Sequence, residues 1–295
     1  MNGILIVNKP AGWTSFDVVA KVRRLTGIRR VGHSGTLDPL ATGVLVICLG
    51  QAVRITEYIV GHAKAYRATI TLGVETDTYD AHGQVVATQP VEVSEAELRD
   101  ALKAFTGVIQ QVPPMYSAIK RAGQQLYKLA RQGVEVERAP RTVTIHSIDL
   151  IAFAPPNLTI DVRCSSGTYI RSLAHDLGAK LGCGAHLSAL TRTAVGRFDL
   201  AQAVSIETLE QAAAVGSLVD WLRPIDLALT ELASVTLSES DAARVRHGMA
   251  VPATGITTYT GSLVRVYNPS GELIGLMKHD RERNELRPEK VFNPN

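Results

Sequence analysis

The segment Gly32-His33-Ser34-Gly35-Thr36-Leu37-Asp38-Pro39-Leu40-Ala41-Thr42-Gly43 constrains the fold more than any other stretch of the chain. Its glycines permit backbone conformations and close approaches denied to other residues. Pro39 keeps Asp38 out of the helical region and ends any helix before it. The outcome is a shaped loop carrying one carboxylate, followed at once by the apolar run 44–49, which reads as a buried strand. Asp38 has two readings: an Asx-type turn, in which its side chain accepts a nearby backbone N–H, or a carboxylate displayed for chemistry. So many special-geometry residues exceed what a plain turn requires.

The surrounding pattern places this loop among strands and helices. Residues 4–8 read as a short buried strand, Pro10-Ala11-Gly12 as a turn, and Ser15 as the N-cap of a helix carrying Phe16, Val19, Val22 and Leu25. Residues 64–72 alternate, with Tyr66, Ala68, Ile70 and Leu72 on one face and Arg67, Thr69 and Thr71 on the other. Ser94 and Glu97 form a capping-box pattern for a helix through Phe105. Val112-Pro113-Pro114-Met115 then breaks the chain, and the basic, amphiphilic stretch that follows reads as an inserted, partly helical arm over about 113–141. Strands resume at 142–153 and 158–164. After Ser165-Ser166-Gly167-Thr168 a helix carries Ile170, Leu173, Ala174, Leu177 and Leu181, with Arg171 in its first turn. A cation there opposes the positive end of the helix dipole. An anionic partner is therefore expected, Asp38 being the most interesting carboxylate elsewhere, with a solvated arginine as the alternative.

At 295 residues the chain suits one large domain with a smaller one. Residues 220–226 look like the exit from the large domain. Beyond them Ser238 caps a helix through His247, and 263–267 and 272–277 form a hairpin across Asn268-Pro269-Ser270-Gly271. The expected division is 1–230 and 235–295, the second unit small and mostly β. With 45% hydrophobic and 20% charged residues the chain is globular rather than disordered. Cys48, Cys164 and Cys183 lack any C-x-x-C spacing and are expected to be reduced packing residues. The apolar start is too short for a signal peptide and no membrane-length apolar run occurs, so a soluble cytoplasmic protein is expected.

The net charge of +3 is too mild to prove a polyanionic partner, so its distribution matters more. Lys9, Lys21, Arg23, Arg24, Arg29 and Arg30 cluster in one segment, and Lys120, Arg121, Lys128, Arg131, Arg138 and Arg141 in another. Such segments attract phosphates or simply form solvated helix faces. No metal-ligand spacing, Walker loop, dinucleotide fingerprint or G-x-S-x-G elbow is present. Cofactor-free chemistry built on a carboxylate, with an arginine and an aromatic at hand, remains.

The string Gly-His-Ser-Gly-Thr-Leu-Asp-Pro-Leu-Ala-Thr-Gly-Val-Leu at 32–45 resembles the aspartate motif of the TruB family of tRNA pseudouridine synthases. Other pieces agree, in the family's order. Asn8-Lys9-Pro10-Ala11-Gly12-Trp13-Thr14-Ser15 resembles the opening motif, Lys64-Ala65-Tyr66-Arg67 the tyrosine motif, and Tyr169-Ile170-Arg171-Ser172-Leu173 the arginine motif. Leu181-Gly182-Cys183-Gly184-Ala185-His186-Leu187 with Leu190, Thr191 and Arg192 resembles the block after it. The resemblance covers about residues 1–200 and is looser beyond, where position and strand grammar resemble a small RNA-binding PUA domain.

The resemblance implies an α+β fold, a mixed β-sheet with flanking helices and a central cleft, a thumb-like insertion at the arm, and a PUA-like C-terminal domain. It implies an isomerase that needs no cofactor and no metal, acts on the T stem-loop of tRNA at uridine 55, touches no membrane and is a monomer. Asp38 is then the catalytic aspartate, Arg171 the group that keeps it ionised, and Tyr66 the aromatic that stacks on the base. His33 helps to fill the space left by the flipped uridine, Leu190 packs on the base, and Lys9 and Pro10 support the loop. Tyr169 belongs to the same RNA-binding set, Asp80 touches RNA or orders its loop, and Lys120, Arg121, Lys128 and Arg131 meet phosphates. Each has a plainer alternative: a core tyrosine for Tyr66, a loop histidine for His33, packing for Leu190, Lys9 and Pro10, and an exposed hairpin loop for Asp80. Two other functions remain open, a non-catalytic RNA-binding or RNA-folding protein using the same surface, and a glycosidase-like hydrolase that releases uracil.

Overall fold

The computed structural model describes residues 1–121, 123–254 and 263–292, with Lys120 and Arg121 described in their backbone only. The chain opens with β1 (Gly3–Lys9), α1 (Ser15–Thr26), β2 (Val31–His33) and β3 (Thr42–Leu49). β1 and β3 pair antiparallel and are buried on both faces. Leu5, Val7, Leu45 and Ile47 enter one core, which α1 also lines through Val18, Val19 and Val22. Ile4, Ile6, Val44, Val46 and Cys48 enter a second core behind the sheet. A strand between two apolar layers has no polar face to show, which is why neither run alternates.

α1 begins one residue earlier than the expected Ser15 cap. Thr14 is the N-cap: its hydroxyl accepts the Asp17 N–H at 3.1 Å, and the Asp17 carboxylate accepts the Thr14 N–H at 2.8 Å. Ser15 is freed for a buried contact described below. Phe16 is 65% exposed rather than packed. The inward residues Ser15, Val18, Val19 and Val22 follow helical spacing, and Phe16 lies about 200° around the helix from Val18.

After a short helix α2 (Thr56–Val60) come β4 (Lys64–Leu72), the hairpin β5 (Val74–Thr76) and β6 (Val85–Thr88), α3 (Glu95–Lys103) and β7 (Gly107–Gln111). β4 buries Tyr66, Ala68, Ile70 and Leu72, and α3 carries the Ser94–Glu97 capping box. The arm contains β8 (Lys120–Arg121), β9 (Gln124–Gln125) and α4 (Leu126–Arg131). β10 (Arg141–Ala154), β11 (Asn157–Cys164), α5 (Ile170–Leu181), β12 (Ala185–Val195) and β13 (Phe198–Asp199) complete the large sheet. Its order is β1-β3-β12-β4-β11-β10-β7, with β2 also on β3 and β13 also on β12.

The β3–β12 pair is parallel, aligning Thr42 with Thr191 and Gly43 with Arg192, while the other pairs in this sheet are antiparallel. A Cβ on Gly43 would lie 2.3 Å from the Arg192 carbonyl oxygen, and its φ is +98°, so only glycine suits this crossing. The Asp38 loop, the start of β3 and the middle of β4 are thereby drawn to the same region of the sheet.

α6 (Ile206–Ala214) packs against α1 and β1. Residues 220–226 are bound to β1, since Ile4 and Arg223 exchange backbone hydrogen bonds of 2.9 and 2.8 Å. A second sheet follows, built from β14 (Ala233–Thr236), β15 (Val251–Pro252), β16 (Leu263–Tyr267), β17 (Leu273–Asp280) and β18 (Glu285–Val291), with α7 (Glu239–Arg246) after β14. Its order is β14-β16-β17-β18-β15. Leu276 and Phe292 from this unit close the second core against Ile4, Val44 and Leu229. No helix among the described residues is long and apolar enough to cross a membrane.

Candidate active site

Asp38 sits on the loop between β2 and β3, and backbone hydrogen bonds hold that loop from several sides. The Ser15 hydroxyl accepts the Leu37 N–H at 2.8 Å and donates to the Leu37 carbonyl at 3.2 Å. Ser34 N donates to the Val46 carbonyl, Ala41 N to the Asp38 carbonyl, and Gly12 N to the Pro39 carbonyl. Arg192 donates to the carbonyls of Gly35 and Thr36 from the opposite side. The carboxylate itself keeps 38% exposure, so it is fixed by its loop yet open to a ligand.

Arg171, second residue of α5, faces Asp38. Its Nε lies 3.0 Å from Asp38 Oδ2, and its side chain is only 6% exposed. The anionic partner expected from its awkward seat at a helix N-terminus is present, and there are two of them. Nη1 lies 3.2 Å from Asp80 Oδ2 and also donates to the Thr78 carbonyl, while Nη2 donates to the Tyr116 carbonyl at 2.7 Å. One guanidinium thus joins the Asp38 loop, the 78–80 turn and the root of the arm.

Asp80 is neither exposed nor turned to a ligand. It is buried, and its Oδ1 accepts the Thr78 hydroxyl at 2.8 Å and the His82 N–H at 3.0 Å, leaving Oδ2 for Arg171. Tyr79 beside it adopts φ +63°, a conformation that costs energy outside glycine and persists only when surroundings enforce it. Two contacts do so: its ring stacks on His175 of α5 at 4.0 Å, and its carbonyl accepts the Leu187 N–H.

Lys9 is likewise buried, in a place that suits the loop support expected of it. Its Nζ donates to the carbonyls of Pro10 and Trp13 at 2.8 and 2.6 Å, which shapes the turn under the Asp38 loop. Burial pulls its pKa down to about 8 against the opposing pull of Asp38. Pro10 contributes that carbonyl and is half-buried. His33 stands at the loop entrance with Nδ1 accepting the Gly35 N–H at 3.3 Å; burial and Arg192 lower its pKa.

Tyr66 and Leu190 lie on adjacent strands, β4 and β12, 7% and 8% exposed. Burial raises the Tyr66 phenol pKa and Arg192 opposes the rise. Tyr169 precedes α5, its backbone N–H and carbonyl both held by the Gln111 side chain at 2.8 and 3.0 Å. Its half-buried phenol feels Ser117, Asp38 and Arg171. For Asp38, burial raises the carboxyl above its ordinary value, Arg171 pulls it back, Asp80 pushes it up again and Lys9 draws it down.

On the arm, Lys128 and Arg131 are exposed, Arg131 lying over the Tyr127 ring at 5.5 Å. The side chains of Lys120 and Arg121 lie outside the described residues. A cavity of about 430 Å³ at the arm's root is lined by Pro113, Ile119, Leu126 and Arg138, and one of about 420 Å³ by Trp13, Asp17, Lys21 and Arg24. Neither is lined by Asp38. Among the described residues no cluster of His, Cys, Asp or Glu is arranged to hold a metal ion, and all three cysteines are free and buried.

Five polar supports complete the site: Gln111 and Thr78, which the sequence does not single out, and Ser15, Lys64 and Arg192, which it shows only as a cap or as members of a motif. The Lys64 Nζ donates to the Val60 and His62 carbonyls, and burial lowers its pKa to about 8. On a strand, a polar residue at an inward position looks the same in sequence as one facing water.

This mixed sheet with its second β unit is the pseudouridine synthase fold. It superposes on a chain of an H/ACA RNP bound to a substrate RNA containing 2′-deoxyuridine with a TM-score of 0.75 at 26% identity, covering 99% of this chain and 85% of that one. The chain belongs to the TruB family. Residues 23–170 match the N-terminal domain of the TruB family pseudouridylate synthases, 171–230 the tRNA pseudouridylate synthase B C-terminal domain, and 233–292 the C-terminal domain of pseudouridine synthase II TruB. It is 48% identical over 278 residues to tRNA pseudouridine synthase B of Syntrophotalea carbinolica, covering 92% of this chain and 90% of that protein. It is 45% identical over 293 residues to the protein of the same name from Dehalococcoides mccartyi, covering 99% and 97%.

Proposed function

We propose that this chain isomerises uridine 55 in the T-loop of tRNA to pseudouridine, with Asp38 as the catalytic aspartate. The observation that carries this reading is the contact between the Arg171 guanidinium and a partly open Asp38 carboxylate on a loop pinned from several sides. Glycosidic cleavage in a closed pocket needs a carboxylate that stays charged when water leaves, and burial alone works against that. Arg171 and Lys9 work for it.

The chemistry is a transfer within one nucleotide. The N1–C1′ bond breaks with its electron pair on the base while Asp38 acts at C1′ or on the ring. The base turns, C5 bonds to C1′, the C5 proton leaves, and N1 takes up a proton. Substrate and product have equal mass. Tyr66 and Leu190 supply the surface on which the extruded base rests, an aromatic contact worth about 1–3 kcal/mol. His33 helps to fill the space left by the flipped uridine, and Tyr169 lines the site beside Arg171. Extruding the nucleotide costs a few kcal/mol, which contacts outside the pocket must supply.

A T-arm stem-loop RNA carrying [5-³H]uridine tests the reading. The expected result is tritium in water with the RNA mass unchanged. Free uracil as the main product would make the chain a hydrolase, and binding without release would make it an RNA-binding protein. The arm carries its own expectation. The double substitution Lys128→Glu and Arg131→Glu weakens RNA binding about tenfold at low salt and flattens the plot of log affinity against log salt by about 1–2. An unchanged slope in filter-binding titrations would make the arm a purely structural insertion.

A further inference from the structure

Arg192 is the largest fully buried side chain with a charge that the reaction as described does not use. Among the described residues it makes no direct ion pair with a carboxylate, although the charge of Asp38 reaches it. Removing a guanidinium from water is costly when no direct ion pair repays it, and an apolar side chain would join two strands with less burden. The position therefore calls for what a guanidinium alone provides, several N–H donors held in a rigid planar fork.

Each of the three guanidinium nitrogens donates a hydrogen bond. Nε donates to the Val44 carbonyl at 2.7 Å, Nη2 to the Gly35 carbonyl at 3.1 Å and Nη1 to the Thr36 carbonyl at 3.4 Å. Gly35 and Thr36 are the third and second residues before Asp38. Arg192 also aligns with Tyr66 in the β12–β4 register, and the Tyr66 phenol interacts with its guanidinium. The backbone of Arg192 lies against Gly43 at the β3–β12 crossing. A single side chain thus touches both polypeptide segments that carry the reacting groups.

We propose that Arg192 is a positioning residue of this reaction: its buried guanidinium ties the Gly35 and Thr36 carbonyls, the start of β3 and the Tyr66 phenol into one frame, so that Asp38 and Tyr66 meet the same nucleotide in register. The proposal rests on the isomerase reading above. The charged and titratable groups that face Tyr66 are Arg192 from β12, Cys164 from β11 and Asp38 from its loop. Arg192 is the cation of that set, and it offsets the effect of burial on the phenol.

Arg192→Met and Arg192→Lys test the frame with the T-arm stem-loop RNA carrying [5-³H]uridine. Filter-binding affinity stays within threefold of the unsubstituted chain, while the single-turnover rate of tritium release falls about 100-fold, the loss typical of a small misplacement at a reacting centre. Lysine restores little of it, because it offers a point charge in place of a fork. The second readout does not depend on turnover. With tyrosine Cζ labelled by ¹³C and the Tyr66 signal assigned through Tyr66→Phe, the phenol titration moves to higher pH in Arg192→Met, a change that loss of packing alone does not produce. If Arg192→Met does not fold, Arg192→Gln, which likewise removes the cation, is judged by the same two measurements. Single-turnover rates within threefold of the unsubstituted chain, or a Tyr66 titration that does not move, would overturn the proposal. No tritium release from the unsubstituted chain would instead overturn the isomerase reading, and the Tyr66 titration would still decide whether the frame exists.

Discussion

Asp38→Asn lowers tritium release from T-arm RNA by about 10⁴-fold or more and leaves RNA binding within a few fold. Asparagine keeps the shape of the side chain but cannot carry the negative charge that the proposed chemistry requires at the site. The loop survives, because Ser15, Gly12 and Arg192 hold its backbone and not its carboxylate. Stability moves the other way from activity. A carboxyl whose pKa is raised on folding stabilises the folded chain while protonated and loses that contribution as the pH rises through its folded value. Burial raises Asp38 above its ordinary 3.8, so at neutral pH the ionised group is a burden on the fold. Asp38→Asn is expected to melt at the same temperature as the unsubstituted chain or higher, measured by calorimetry at pH 7. Turnover above one per cent in this variant would remove Asp38 from the mechanism.

Arg171→Ala carries the second large effect, on rate and stability together. The rate falls by about 10²–10³-fold, and the fold loses about 3–5 kcal/mol, because Asp80 is left as a buried charge without its cation. The carbonyls of Thr78 and Tyr116 lose their donor at the same time, which loosens the root of the arm. The pH profile gives the sharper test. The reaction needs Asp38 ionised, and Arg171 is the strongest influence pulling its pKa down against burial. Without it the carboxyl titrates at higher pH, and the acid limb of the single-turnover rate shifts the same way. Raising the pH therefore recovers part of the loss in Arg171→Ala. A flat loss across pH would assign Arg171 to architecture rather than to the charge on Asp38.

Much of the molecule is legible in local patterns. The loop before β3 announces itself through glycines and an Asp-Pro step, β4 through its alternation, and α5 through a spacing of apolar residues that also exposes the oddity of a cation in the first turn. That oddity has an electrostatic cause, so it predicts an anion. What it cannot specify is how many anions answer it. Asp80 lies in a stretch that reads as a surface hairpin, and its burial follows from the docking of that hairpin on Leu187 and His175, 107 and 95 residues away along the chain. Lys9 and Arg192 present the same difficulty. Each is a long cationic side chain on a strand, and only the arrangement of carbonyls around it separates a buried support from a solvated side chain.

Local sequence alone determined the strands β1, β3, β4, β10 and β11 and the helices α1, α3 and α5, which loop carries the carboxylate, and that a basic arm interrupts the chain after Val112. It did so because backbone propensity, glycine conformation and apolar period act between near neighbours. The tertiary structure decided which charges meet. Arg171 reaches Asp38 across 133 positions and Asp80 across 91, and the parallel β3–β12 crossing brings Arg192 under the Asp38 loop. Electrostatic and hydrogen-bond energies depend on distance in space, and that distance is set by packing the whole sheet.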